Sequence, residues 1–82
     1  MYEEYDFLVN AIKQAIPPER LGGEVKVRTG ILYLYFKDDV RHDEVFTLQN
    51  ICFAHGFSTL RWTARPADDN VLLSLPLTPK SP

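Results

Sequence analysis

The hydrophobic period of this chain changes from helical to alternating and back, twice. In "YEEYDFLVNAIKQAI", residues 2–16, Tyr5, Leu8, Val9, Ile12, Ala15 and Ile16 recur at helical spacing, and the run holds neither glycine nor proline. Glu3, Glu4 and Asp6 fall in the first turn, where the helix dipole favours carboxylates. Pro17 and Pro18 stop the helix, because proline disfavours helical geometry in the residue before it. "PPERLGG" then reads as a loop.

From Glu24 the period becomes two. "EVKVR" and "ILYLYF" flank Thr29-Gly30, which predicts a two-residue β-hairpin turn. Counting outward pairs Arg28 with Ile31, Val27 with Leu32, Lys26 with Tyr33, Val25 with Leu34 and Glu24 with Tyr35. In this register valines meet leucines on one face and charged residues meet tyrosines on the other. A slip of one residue would mix the two sets.

"KDD" interrupts the alternation, and Asp38 or Asp39 is the expected cap of a second helix over roughly residues 40–55. Gly56 is its natural terminator. Val45, Leu48, Ile51 and Cys52 form the main stripe of that helix. Phe46 and Phe53 widen the apolar arc to roughly 220°, against about 100° for one-sided packing. The expectation is a helix wedged between the sheet and the first helix, the alternative a helix that touches a partner.

"FSTLRWTAR-PADDN-VLLSLPL" reads as a second hairpin. A loop over residues 67–70 pairs Ala64 with Leu73, Trp62 with Leu75 and Leu60 with Leu77. It places Arg65 with Leu72, Thr63 with Ser74 and Arg61 with Pro76 on the opposite face. A loop one residue longer would bury Ser74 beside Trp62, so it is rejected. Trp62 is thus expected in the core beside Leu75.

The predicted fold is α+β, of order αββαββ: a four-stranded antiparallel sheet with both helices on one face, over residues 1–78, and a frayed tail over 79–82. The order resembles a ferredoxin-like βαββαβ chain whose first strand has moved to the end. That arrangement makes "ILYLYF" and "VLLSLPL" central neighbours. Pro76 speaks for the alternative, with the last strand at an edge, since proline is poorly tolerated in a central strand.

Composition narrows the setting. Cys52 is the sole cysteine of 82 residues, so no intramolecular disulfide or cysteine zinc cage is expected, which suits a reducing, cytoplasmic location. The acidic start lacks the order of a signal peptide, and no apolar run approaches the roughly 20 residues of a membrane span. Nine basic and eleven acidic residues give a formal charge of −2, which argues against a uniformly basic nucleic-acid binder but not against a local basic patch.

Sorting those charges by parity creates such a patch. The uncovered sheet face is expected to carry Lys26, Arg28, Ile31, Tyr33, Tyr35, Thr59, Arg61, Thr63, Arg65, Leu72 and Ser74, with Glu24 at its margin. Glu3, Glu4, Asp6, Asp38, Asp39, Asp43, Glu44, Asp68 and Asp69 lie elsewhere, on the helices, in "KDD" and in the last loop. Tyr33, Tyr35, Lys26, Arg28, Arg61, Arg65 and Thr63 are the candidate binding residues. Tyrosine and arginine dominate protein-binding hot spots and also stack on bases and contact phosphates. The plainer alternative is that tyrosine and threonine suit strands and that charge keeps an open sheet soluble.

"GILYLYF" loosely resembles the octapeptide of the RNA-recognition motif: Gly30, Tyr33, Leu34 and Phe36 match in register, and the strand precedes the second helix as in that family. The resemblance implies Tyr33 as a base-stacking residue. Thr29 stands where the family has a basic residue, Ile31 where it has an aromatic and Leu32 where it has a small one. The last strand offers only Leu72, Ser74 and Pro76 for the family's second motif.

Catalytic patterns are weak. Cys52 and His55 lie three apart on one helix, but Cys52 sits in the apolar stripe, where a small core residue is the simpler reading. Asp38, Asp39, His42 and Asp43 could ligate a metal, and capping with favourable dipole placement explains them more cheaply. No phosphate loop, nucleophile elbow or calcium loop occurs. The expectation is a non-catalytic module without cofactor or metal. It binds a protein, or a second copy of itself, through the open sheet face; the alternative occupant is single-stranded RNA or DNA.

Overall fold

The computed structural model describes residues 3–79, without the side chains of Glu3 and Glu4. Helix α1 runs over Glu3–Ala15 and ends ahead of Pro17, and a 3-10 turn follows at Pro18–Arg20. Strands β1 (Lys26–Arg28) and β2 (Ile31–Phe36) form the first hairpin, and α2 spans His42–Ala54. Strands β3 (Phe57–Ser58), β4 (Thr63–Ala67), β5 (Asn70–Pro76) and β6 (Thr78–Pro79) complete the described chain. The expected first-turn carboxylates of Glu3 and Glu4, and residues 80–82 of the expected tail, lie outside the described residues.

The main sheet is antiparallel with order β1-β2-β5-β4, so "ILYLYF" and "VLLSLPL" are central neighbours, in the strand order of the permuted ferredoxin-like arrangement. Leu8, Ile12 and Ile16 of α1 and its end, with Leu48 and Cys52 of α2, pack in one core against Leu32, Leu34, Phe36, Leu73 and Leu75. The β2–β5 pairing, Leu32 with Leu75 and Leu34 with Leu73, puts those five residues on one side of the sheet, so both helices cover one face. Pro76 occupies the central strand after all, opposite Ile31. Leu77 N–H donates to Gly30 O at 2.8 Å, so main-chain polar groups at odd β5 positions point to β2 and those at even positions to β4. The donor that Pro76 lacks would face the β4 side, where β4 has already ended at Thr63.

The first hairpin has the expected pairs Lys26–Tyr33, Val27–Leu32 and Arg28–Ile31. Thr29 and Gly30 have φ of 50° and 74°, the turn class whose twist suits a hairpin. The expected continuation through Val25 and Glu24 is absent. After Lys26 the chain is displaced by two residues, and Gly22 N–H donates to Tyr35 O at 2.7 Å while Lys37 N–H donates to Arg20 O at 3.0 Å. Gly23 makes the displacement possible: a Cβ there would come within 3.2 Å of the Tyr35 ring.

The second hairpin keeps its register, with Ala64–Leu73, Arg65–Leu72 and Thr63–Ser74 paired. The loop is tighter than expected, because Ala67 and Asn70 also pair and only Asp68 and Asp69 turn, Asp68 at φ 57°. The expected long strand "FSTLRWTAR" is two strands. A turn at residues 60–61 separates β3 from β4, and β3 pairs with β6, Phe57 with Pro79. Pro79, expected at the head of the tail, is thereby held. Trp62 does not reach the core beside Leu75; it is 37% exposed.

Helix α2 ends as expected ahead of Gly56, at φ 94°. Its cap is Arg41 rather than Asp38 or Asp39, and Glu44 Oε1 accepts from Arg41 N–H at 2.9 Å. The same carboxylate receives a fork of bonds from Arg20, Nε to Oε2 at 2.8 Å and NH2 to Oε1 at 2.9 Å. Arg20 also donates to Asp39 O at 2.9 Å and lies 5.7 Å from the Phe36 ring centroid. This clamp ties the turn after α1 to the first turn of α2 across the end of β2. The expected wedge fails at two residues: Val45, Leu48 and Cys52 are buried, but Phe46 and Phe53 are 69% and 57% exposed.

Candidate binding face

On the sheet face away from the helices, β1 contributes Lys26 and Arg28, β2 contributes Ile31, Tyr33 and Tyr35, β5 contributes Leu72 and Ser74, and β4 contributes Thr63 and Arg65. The pairings bring them into rows, Lys26–Tyr33–Ser74–Thr63 and Tyr35–Leu72–Arg65. Six of the seven candidate residues therefore share one surface. Arg61 does not join them. It sits in the turn between β3 and β4, because the strand that was to carry it breaks there. Thr59, expected on the same face, is buried at 3% exposure. Its main-chain carbonyl accepts from the Gln49 side chain of α2 at 3.3 Å.

The face has a centre. Leu72, flanked by Tyr35 and Arg65, is only 7% exposed although no helix covers it. Lys26, Arg28, Thr29, Tyr33, Tyr35 and Leu72 line a shallow hollow of about 320 Å³. Both tyrosines are half-buried, and Gly23 lies beneath the Tyr35 ring. The hollow thus has an apolar floor, two phenol walls and a basic rim, with no carboxylate among its lining residues. Asp38, Asp39 and Asp43 lie around the N-terminus of α2, away from this hollow.

The candidate chemistry of α2 disperses. Cys52 is fully buried, and desolvation pushes its thiol up to about 11. His55 is exposed at the helix end. Among the described residues no group of three or more His, Cys, Asp and Glu converges to hold a metal ion, and no helix is long and apolar enough to cross a membrane.

A second surface lies beside α2 and β4. Trp62 with Val45, Phe46, His42, Asp43 and Gln49 bounds a largely apolar hollow of about 450 Å³. It adjoins a second, of about 430 Å³, lined by Val40, Val45, Trp62, Ala64, Pro66 and Val71 among others. The signal for it was the over-wide apolar arc of α2. Comparison with family models, with curated proteins and with solved structures found no match to this chain.

Proposed function

We propose that this protein is a non-catalytic binding module that docks an acidic protein segment on its open sheet face. The observation that carries the reading is the sunken Leu72 between Tyr33, Tyr35 and the Lys26–Arg28 rim. An apolar floor of that size accepts one side chain of a partner, and the basic rim favours carboxylates beside it. Arg65 and Thr63 extend the contact across the sheet. No cofactor is needed for this role.

Single-stranded nucleic acid is the second reading, favoured by the position of Tyr33 mid-strand between Lys26 and Ser74. Base stacking asks for a ring that presents its face, whereas both rings here are half-buried around Leu72. That difference puts protein first.

The two readings separate in one experiment. Fluorescence anisotropy is measured with a labelled Glu–Tyr copolymer and with a mixed-sequence single-stranded oligonucleotide, each at two salt concentrations. The proposal expects the copolymer to bind and the oligonucleotide not to displace it. Oligonucleotide binding that falls steeply with salt, as counterion release requires, would replace the proposal with the nucleic-acid reading.

A further inference from the structure

The two helices do not cover the whole sheet. Thr63, Ala64, Arg65 and Pro66 of β4 are all exposed, and no residue of β4 belongs to the core. On the helix side, Ala64 and Pro66 floor a groove whose wall is Val45 and His42 of α2 and whose end is Trp62. β4 is also the edge of the sheet.

The main chain of that edge has a definite pattern. Because even positions of β5 point to β4, Thr63, Arg65 and Ala67 direct their polar groups inward, and Ala64 and Pro66 direct theirs outward. The alternation extends to Trp62, whose side chain lines the same groove as Ala64 and Pro66. Pro66 removes one outward donor and keeps its carbonyl, as edge prolines do.

We propose that a second copy of this chain pairs antiparallel along β4, with the two-fold axis at Ala64, and seats its Trp62 in this groove. In that register Ala64 exchanges both main-chain bonds with the partner's Ala64. The carbonyl of Pro66 accepts from the N–H of the partner's Trp62, while the partner's Trp62 carbonyl goes without the donor that proline lacks. Arg65 stands opposite the partner's Thr63. A shift of one step in one direction would set Arg65 against the partner's Arg65, and in the other Arg61 against it, so charge selects the central register. Trp62 falls opposite the partner's Pro66, beside Val71 and Val40, in a groove whose lining also holds Asp39, His42 and Arg65.

Large apolar side chains at this end of the molecule are open to such a pairing: Trp62, Phe46 and Leu60 are 37%, 69% and 85% exposed. The two-fold is perpendicular to the sheet, so the eight strands form one surface with both open faces on the same side. Five strand spacings separate the two β2 strands, placing the Tyr33 hollows about 24 Å apart. The inference stands apart from what the open face binds.

Sedimentation velocity from about 1 μM to about 1 mM decides it, the range in which a modest interface associates. The wild type should pass from monomer to dimer. Ala64→Pro removes an outward donor and no bond inside the sheet, and Thr63 before it is already extended, as proline requires; it should stay monomeric with an unchanged circular dichroism spectrum. Pro66→Ala restores two donors across the two-fold and should tighten the dimer about tenfold or more. A monomer throughout, or a dimer indifferent to both substitutions, would overturn the proposal. If Ala64→Pro does not fold, Pro66→Ala decides alone: a tighter dimer supports the pairing, and an unchanged or weaker one overturns it.

Discussion

Removing the buried Glu44 carboxylate should destabilise this fold clearly. Glu44→Ala deletes both arms of the Arg20 fork and the acceptor for Arg41 N–H. The two side chains are 14% and 11% exposed, so the pair lies between a solvated ion pair and an enclosed one. An exposed pair contributes about 0–1 kcal/mol, and removing one partner of a buried pair costs about 3–5 kcal/mol. Loss of the N3 side chain's bond to the Arg41 N–H adds about 1 kcal/mol. Arg20 keeps its bond to Asp39 O and its place near Phe36, which limits the damage. The expected cost is about 2–4 kcal/mol, a large share of the 5–15 kcal/mol typical of a domain. With a urea m-value of about 1 kcal/mol/M, the midpoint followed by far-UV circular dichroism should fall by about 2 M or more.

The same contact has a signature in pH. Hydrogen bonding from Arg20 first, then the bond from Arg41 N–H, holds the Glu44 carboxyl below the usual range, against the opposing effect of burial. A depressed folded pKa contributes stability that is present above the unfolded value of about 4.3 and is lost as pH falls through the folded value. The stability gap between wild type and Glu44→Gln should therefore narrow on acidification below about pH 4.3. A cost under about 0.5 kcal/mol for Glu44→Ala, with the same acid slope in both proteins, would refute the clamp.

Two further outcomes follow from the local geometry. Thr29 is a β-branched residue at φ 50°, supported by a 2.6 Å bond from its Oγ1 to Arg28 O. Thr29→Asn should stabilise by about 0.5–1 kcal/mol and raise Tm by about 3–6 °C in a thermal scan, and an unchanged Tm would show that the turn is unstrained. Cys52 is fully buried with its thiol pushed up to about 11, so a thiol reagent at pH 8 should label it slowly in the native protein and promptly in urea. Prompt native labelling would place α2 wrongly against the sheet.

Parity made both hairpin registers legible, because mixing valine with tyrosine, or serine with tryptophan, has a cost that sequence displays. It failed where the chain leaves the ladder without a turn signal. "TLRW" contains no glycine, proline, asparagine or aspartate, yet the strand breaks there because Phe57 and Ser58 pair with Pro79 and Thr78 instead. The consequences were the misplacement of Trp62, Thr59 and Arg61. The alternation also runs on through Glu24 where the ladder does not, because Gly22 and Gly23 let the chain shift by two residues. The Arg20–Glu44 clamp joins residues 24 apart and leaves no local trace beyond Glu44 three positions after the cap. The open face was legible because alternation alone assigns Tyr33, Tyr35, Lys26, Arg28, Thr63 and Arg65 to it. The hollow around Leu72 was not, since its depth comes from how the tyrosine rings settle.

Stability and binding are best measured together in Tyr33→Ala. Tyr33 is half-buried on the open face, paired between Lys26 and Ser74. Strand propensity and cross-strand pairing together span about 1 kcal/mol at such a site, so urea unfolding should shift only modestly. Affinity for the acidic copolymer should fall by about 2 kcal/mol or more if Tyr33 walls the binding hollow. A folded variant whose binding has collapsed is the predicted result; a folded variant that binds the copolymer as tightly as wild type would contradict the account.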